Sequence, residues 1–228
     1  MVTGNPDYGS PTAAKTEAFD LSASTTCQSL PDFPVEVTLA AGAFVNNRVA
    51  ICGSGGGSII APCYTLAQNE NTWTRIGNLQ LPRFGAASVA IGNKLVFFGG
   101  LDSSTKMFLQ STEELDVETG TTTPGPNMPD SFAFHCAVKL DATRVLIIGG
   151  IGDIMSYDSQ STFFYDVVAK SFTPGPNLNQ RRQHHACALL NTGAESFIVV
   201  AGGLWAGSCL DSTEYMNVNQ PTMWMTGL

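Results

Sequence analysis

Short apolar runs that end in paired glycines recur along this chain. Three of them, at residues 94–100, 144–150 and 196–203, read KLVFFGG, RVLIIGG and SFIVVAGG, and their doublets are 50 and 53 residues apart. A degenerate copy, RVAICGS, lies at residues 48–54, and a half-match, VTGN, at residues 2–5. Continuous apolar runs of this length are typical of strands covered on both faces, and a fixed period indicates a repeat architecture.

The rest of each unit repeats with the same period. Each doublet is followed by a polar loop, a strand led mostly by Ser or Thr, a turn, and a short segment with Trp or Thr. The third strands lie at residues 15–20, 62–66, 111–116, 161–166 and 212–217. Another short strand precedes each doublet, so the pattern predicts four strands per unit and no helix. Because one such sheet cannot bury both its faces alone, we expect the units to stack radially.

This order of features resembles the kelch repeat. An apolar strand, Gly-Gly, a loop, Thr-x-x-Tyr/Leu-Asp, a turn and Trp follow one another over nearly the whole chain. The resemblance implies an all-β fold, a β-propeller of four-stranded kelch-type blades. A stacked-β solenoid or a sandwich with chance glycine doublets is the alternative.

We interpret residues 1–228 as a single propeller segment with about four and a half blades. The units are a half blade at residues 1–37 and whole blades at residues 38–81, 82–129, 130–179 and 180–228. Because the resemblance leads us to expect more blades, we expect a segment of a longer propeller. A small propeller closed by dimerisation is the alternative.

The composition narrows the class of partner. Only 13% of residues are charged, the formal net charge is −8, and the chain has 23 Gly and 13 Phe. These values exclude a coiled coil, a basic nucleic-acid binder and a highly charged disordered chain. No apolar run approaches the roughly 18 residues of a membrane span, and the first residues do not resemble a signal peptide.

The sequence offers no catalytic or cofactor motif. The glycine-rich residues 53–58 carry no Lys and lead to no helix, so we do not expect phosphate binding. The repeated Asp20, Asp116 and Asp166 are predicted to cap turns. His184 and His185 point to opposite faces of a strand, and His135 aligns with His185, so we predict structural histidines and no metal site.

The six cysteines favour one particular pair. Cys52 ends one strand and Cys63 opens the next, which places them close enough to bridge if the strands are adjacent. Some secreted kelch-like proteins are similar here, and the resemblance supports this disulfide, with buried free thiols as the alternative. Cys136 and Cys187 are offset by one alignment step, so we expect them to face differently and not to pair. Cys27 and Cys209 have no predicted partner.

In kelch propellers that bind ligands, the resemblance places the contact surface on two sets of loops. The loops joining one blade to the next contribute Arg83, Phe134, Arg182 and His184. The loops after the doublets contribute Asp102, Ser103, Asp153, Tyr157 and Trp205. Arginine and aromatic side chains suit binding hot spots. The third unit has Phe132 where its neighbours have Arg, which departs from the arginine-rich pattern of kelch ubiquitin-ligase adaptors. Scattered solvated side chains are the alternative.

These observations predict a non-catalytic binding scaffold without a cofactor. We expect a protein or peptide partner, with a glycan as the alternative ligand, and neither nucleic-acid binding nor membrane insertion. Cysteine usage favours a secreted protein over a cytoplasmic one. Two rival functions stay open: the substrate-recognition propeller of a BTB-kelch ubiquitin-ligase adaptor, and a galactose-oxidase-like copper enzyme.

Overall fold

The computed structural model describes residues 2–3, 16–18, 28–37, 39–53, 60–152 and 157–227. Regular structure there is entirely β-strand. An N-terminal three-stranded sheet contains β1 (Val2–Thr3), β2 (Thr16–Ala18) and β3 (Gln28–Ser29). Most of the predicted half blade at residues 1–37 lies outside the described residues. Residues 54–59, which include most of the glycine-rich segment, do so as well.

Four four-stranded antiparallel sheets follow along the chain. The first blade contains β4 (Ala41–Val45), β5 (Arg48–Cys52), β6 (Pro62–Ala67) and β7 (Thr74–Asn78). The second contains β8 (Arg83–Phe84), β9 (Ala87–Ile91), β10 (Lys94–Phe98), β11 (Leu101–Asp102), β12 (Thr112–Asp116) and β13 (Thr122–Pro124). The third contains β14 (Phe132–Ala133), β15 (Cys136–Lys139), β16 (Arg144–Ile148), β17 (Ile151–Gly152), β18 (Thr162–Asp166) and β19 (Ser171–Pro174). The fourth contains β20 (Ala186–Asn191), β21 (Ser196–Ala201), β22 (Leu204–Trp205), β23 (Ser208–Cys209), β24 (Thr213–Asn217) and β25 (Met225–Thr226).

Within each four-stranded sheet the strands pair in chain order. The second blade, for example, has the order β9, β10, β12, β13. The short strands pair separately, β8 with β11, β14 with β17 and β22 with β23. The first long strands of the blades, β4, β9, β15 and β20, contact one another in turn. They are therefore the inner strands around which the blades are arranged.

The core lies between the blades, which explains the continuous apolar runs. Along β10, Leu95 and Phe97 pack against the first blade, whereas Val96 and Phe98 pack against the third. Strand β16 alternates in the same way between the second and fourth blades. Both faces of these strands are covered, so no polar alternation appears in the sequence. Burial of each such side chain stabilises the fold by roughly 1.5–3 kcal/mol.

The glycine doublets lie at the seams between blades. Gly149 and Gly150 have φ angles of 62° and 99°, in the left-handed region that favours glycine. The Gly150 amide donates to the carbonyl of Arg182 in the next joining loop at 2.9 Å. A Cβ on Gly149 would lie 2.7 Å from that same oxygen. The doublet thus permits both the turn and the close approach of the neighbouring chain.

The predicted Cys52–Cys63 disulfide is confirmed. The two residues are register partners on β5 and β6, with Cα atoms 4.1 Å apart. Cys209 is exposed and free, and Cys27 lies outside the described residues.

A second disulfide corrects the sequence expectation for Cys136 and Cys187. These residues are bonded, with Cα atoms 6.2 Å apart. Cys136 is the register partner of Ile148 and Cys187 that of Val200, so they do face opposite sides of their own sheets. Neighbouring blades, however, meet through opposite faces. The one-residue offset between the two cysteines is therefore what brings them into one interface.

Candidate binding surface

The two sets of loops singled out in the sequence do lie together. In the second blade Asp102 and Leu101 are the register partners of Arg83 and Phe84. In the third blade β17 pairs with β14 in the same way. In the fourth, an isolated bridge joins Gln183 to Leu204. Each joining loop is therefore hydrogen-bonded to the loop that follows the glycine doublet.

Two of the predicted surface residues, Arg83 and Arg182, are instead inside the protein. Their exposed fractions are 2% and 0%. Arg182 donates to the carbonyls of Gly202 and Ser212 at 2.7 and 3.1 Å and to the Glu214 carboxylate at 3.0 Å. These arginines are structural, because a fully buried guanidinium cannot reach a ligand at the surface.

The second blade uses the same arrangement. Arg83 donates to the carbonyls of Gly99 and Ser111, both at 2.8 Å, and to Glu113 at 2.5 Å. Burial lowers the pKa of Arg83, and the Glu113 carboxylate opposes that shift. Glu113 also accepts the amides of Gln80 and Leu81, so the pair ties the incoming chain to the blade.

The third blade fills the equivalent positions with two aromatic rings. Phe132 is the counterpart of Arg83, and Phe163 that of Glu113, by their registers with β17 and β16. The two ring centroids are 5.9 Å apart. The change of Arg to Phe noticed in the sequence is therefore half of a paired internal replacement.

Asp102 and Ser103 shape their loop. The Asp102 carboxylate accepts the amides of Ser104 and Thr105 at 2.7 and 3.0 Å. Hydrogen bonds from the Ser104 hydroxyl and these amides lower the pKa of Asp102. Ser103 is buried, and its amide donates to the Pro82 carbonyl. The Asp102 carboxylate is thus used within its own loop, and Ser103 lies inside the protein.

Phe134 and His184 stack at the start of the inner strands. Their ring centroids are 4.1 Å apart, and both residues have left-handed φ angles. The His184 amide donates to the carbonyl of Phe134, whose own amide donates to that of Gly85. Burial lowers the pKa of His184. These half-buried rings belong to the joint between blades as much as to the surface.

Tyr157 and Trp205 are the exposed aromatic side chains among the predicted residues. They are 59% and 44% exposed. Both line a cavity of about 300 Å³ between the third and fourth blades. A neighbouring cavity of about 360 Å³ shares Tyr157, Asp158 and Arg181 with it. Together the two cavities form what we call the Tyr157–Trp205 groove. Asp153, the remaining predicted residue, lies outside the described residues.

Asp158 holds the loops of this groove in place. It is buried, and its Oδ1 accepts the Gln183 side-chain amide while its Oδ2 accepts the Ala206 backbone amide, both at 2.7 Å. Arg181 donates to the Asp158 carbonyl at 3.3 Å and is an exposed residue. One carboxylate thus joins the loop of the third blade to two segments of the fourth.

Sequence reasoning missed Arg181 and Asp158. A signal for Arg181 existed, because adjacent residues of an extended chain point in opposite directions. If Arg182 is buried, Arg181 faces outward. Asp158 had no such signal, since its counterpart in the second blade is Phe108, by the bridges to Leu101 and Ile151.

The buried histidines lie in the interfaces between blades. His135 and His185 are both buried, and an added Cβ on Gly149 would lie 2.9 Å from the His185 ring. Burial, together with the positive charge of His185, lowers the pKa of His135 to about 3. Burial and the Arg182 charge lower that of His185 to about 4. Both rings are therefore neutral at physiological pH.

The part of the chain that the structure describes contains no group of three or more His, Cys, Asp or Glu side chains that could hold a metal ion. It also contains no helix long and apolar enough to cross a membrane.

Comparison with known proteins supports the fold. Residues 82–129 match the family model of the Kelch motif. The solved structure of YjhT superposes with a TM-score of 0.71 at 17% sequence identity, covering 87% of this chain and 67% of that one. At this identity the likeness concerns the fold alone. No curated protein matches the chain at a significant level.

The fold is a β-propeller of four-stranded blades. The prediction of a propeller is confirmed by the fold of the described residues, and that of a kelch-type repeat by the motif match at residues 82–129.

Proposed function

We propose that this protein is a non-catalytic binding module and that the Tyr157–Trp205 groove is its ligand site. The observation that carries this proposal is the difference in burial among the predicted residues. Arg83, Arg182 and Ser103 are buried, whereas Tyr157 and Trp205 are exposed around one cavity.

The groove has the chemistry of a protein-binding hot spot. Tyr and Trp contribute large, rigid contact areas with a polar atom at the edge, and Arg contributes several directed donors. Arg181 lines both cavities of the groove alongside Tyr157. Because Asp158 already holds the segments around Gln183 and Ala206 in place, a ligand does not have to order these two segments on binding, which favours affinity.

A protein or peptide segment is the ligand class that we propose. The groove lies open along the joint of two blades, a shape that accommodates an extended chain. A glycan would use the same aromatic rings, and its binding is the alternative outcome of the experiment below.

The two disulfides support a secreted protein, because such bonds persist in oxidising compartments. They weigh against the BTB-kelch adaptor, whose cysteines would be reduced.

The experiment is a selection from a displayed library of random peptides on the full chain, in parallel with binding to an array of glycans. Peptides selected on the wild type are then measured against Tyr157→Ala and Trp205→Ala. Phe44→Ala is the matched control, because Phe44 is an exposed aromatic residue of the first blade. We expect each groove variant to weaken binding by about tenfold or more and the control to leave it unchanged.

Peptides that bind the two groove variants as tightly as the wild type would overturn the assignment of the site. Binding of glycans with no selected peptide would replace the proposed ligand class.

A further inference from the structure

We infer that the Cys136–Cys187 disulfide is a redox-sensitive clamp on the Tyr157–Trp205 groove. The inference rests on the proposed function in one respect only, namely that a ligand occupies the groove. The clamp itself depends on the position of the bond and on its accessibility to a reductant.

The bond joins the two blades that form the groove. Cys136 opens β15, the inner strand of the third blade, and Cys187 lies on β20, the inner strand of the fourth. Each cysteine follows a groove residue by four positions in the chain, Phe132 in one blade and Gln183 in the other. The Cys52–Cys63 bond, by contrast, lies within the first blade. Among the described residues, the clamp is the disulfide that connects separate blades.

The two disulfides differ in their accessibility to a reductant. Cys52 and Cys63 are 2% and 0% exposed, in the core between the first and second blades. Cys136 and Cys187 are half-buried. Thiol–disulfide exchange requires in-line attack of a thiolate on a sulfur atom, so access controls its rate. A reductant therefore reaches the clamp first.

The reaction is a complete exchange with a dithiol. One thiolate of the dithiol attacks a clamp sulfur, which breaks the S–S bond and forms a mixed disulfide with the reductant. The second thiol of the reductant then displaces the protein sulfur. The dithiol loses two electrons and two protons and becomes a cyclic disulfide, and Cys136 and Cys187 become thiols.

The blades remain associated after this reduction. Leu146 and Ile148 of the third blade still pack against Ile198 and Val200 of the fourth. Reduction removes the covalent bond that limits how far the two inner strands can separate. Non-covalent contacts then hold the groove, namely the Asp158 hydrogen bonds, this apolar contact and the backbone hydrogen bonds between the two blades. We therefore expect local opening of the groove loops rather than global unfolding.

The first part of the experiment measures which bond is reduced. The folded chain is titrated with dithiothreitol, the free thiols are alkylated, and the sites are mapped by mass spectrometry. Cys136 and Cys187 are expected to be alkylated at lower dithiothreitol than Cys52 and Cys63. Alkylation of Cys52 and Cys63 at the same or a lower concentration would overturn the inference.

The second part measures groove order by amide hydrogen exchange in Cys136→Ser/Cys187→Ser. The expected result is exchange faster by about tenfold or more around Gln183, Leu204 and Ala206, with β5 and β6 unchanged. Cys52→Ser/Cys63→Ser is the matched control and should leave exchange at the groove as in the wild type. Unchanged groove exchange in the first variant would contradict the clamp.

The third part separates the clamp from the proposed function. A peptide selected on the oxidised wild type should bind the reduced protein several-fold more weakly, and reoxidation should restore its affinity. If groove exchange rises on reduction but no peptide depends on Tyr157 or Trp205, the clamp stands and the proposed ligand site falls. If a groove-dependent peptide binds both redox states equally, the ligand site stands and the clamp is contradicted.

Discussion

The second and third blades solve the same structural problem with different chemistry. Where the second blade has Arg83 and Glu113 in a buried ion pair, the third has Phe132 against Phe163. Both pairs fasten a joining loop to the third long strand of the blade. The comparison teaches that a repeated arginine in this fold reports on the inside of a blade. We propose that the ligand surface consists instead of residues that do not repeat.

The largest effect is expected when one member of a buried ion pair is removed. Arg182→Ala leaves Glu214 buried without its guanidinium partner, so we expect a loss of about 3–5 kcal/mol in the free energy of unfolding. The double variant Arg182→Phe/Glu214→Phe, which copies the third blade, should be far closer to the wild type. Denaturant unfolding measures both. A double variant as unstable as the single one would break the equivalence of the two blades.

A smaller effect on the free energy of unfolding is expected from a change of pH. It arises in the third and fourth blades, which carry the buried histidines His135 and His185. The pKa values of His135 and His185 in the folded protein lie below the ordinary value of 6.5, at about 3 and about 4. The unfolded chain therefore takes up protons first as the pH falls below 6.5. The loss of stability grows until the folded pKa values are reached. At pH 5 each of these histidines should lower the free energy of unfolding by about 2 kcal/mol relative to neutral pH.

The measurement is the free energy of unfolding between pH 7.5 and pH 5. The control is His135→Ala/His185→Ala, because the second blade has Ala86 at the equivalent position, one residue before the Ala87–Phe98 pair. This variant should lose the dependence that His135 and His185 supply and keep only that of His184, whose pKa burial also lowers. An unaltered slope in the variant would assign the acid sensitivity to other groups.

A smaller loss of stability is expected from a substitution in the Tyr157–Trp205 groove. Asp158→Asn keeps one acceptor but replaces the other with a donor, so either the Gln183 or the Ala206 hydrogen bond is lost. We expect a cost of roughly 1–3 kcal/mol in stability and faster amide exchange confined to the loops around the groove. Exchange that increases equally in all four blades would show that Asp158 does not act locally.

The smallest effect is expected for an exposed arginine. Arg144 pairs with Asp141 at 2.7 Å, but the two side chains are 45% and 39% exposed. Arg144→Ala should change the free energy of unfolding by no more than about 1 kcal/mol. A loss comparable with that of Arg182→Ala would contradict the claim that burial, rather than the arginine itself, makes the ion pair important.

Most of the fold was predictable because the repeat makes each feature visible several times. The apolar runs, the glycine doublets and the Cys52–Cys63 bond all follow from local pattern and adjacent strands. The Cys136–Cys187 bond did not, since it depends on which faces of two blades meet. Alignment alone compares residues within equivalent sheets and does not show how those sheets pack.

The binding surface was harder to predict for a related reason. Alignment of the units selects residues that recur, and Arg83 and Arg182 recur because the blades need them. Tyr157 and Trp205 were selected from their loops and remain predictions as site residues. Arg181 and Asp158 join them through tertiary contacts between two loops, which leave no periodic signal in the sequence.

The most direct test compares the two kinds of residue in one binding measurement. A peptide selected on the wild type is titrated against Tyr157→Ala/Trp205→Ala and against Arg182→Phe/Glu214→Phe, after both variants are shown to be folded. Our account predicts that the aromatic variant loses binding and that the variant with the replaced ion pair retains it. Retained binding in the first variant with loss in the second would contradict it.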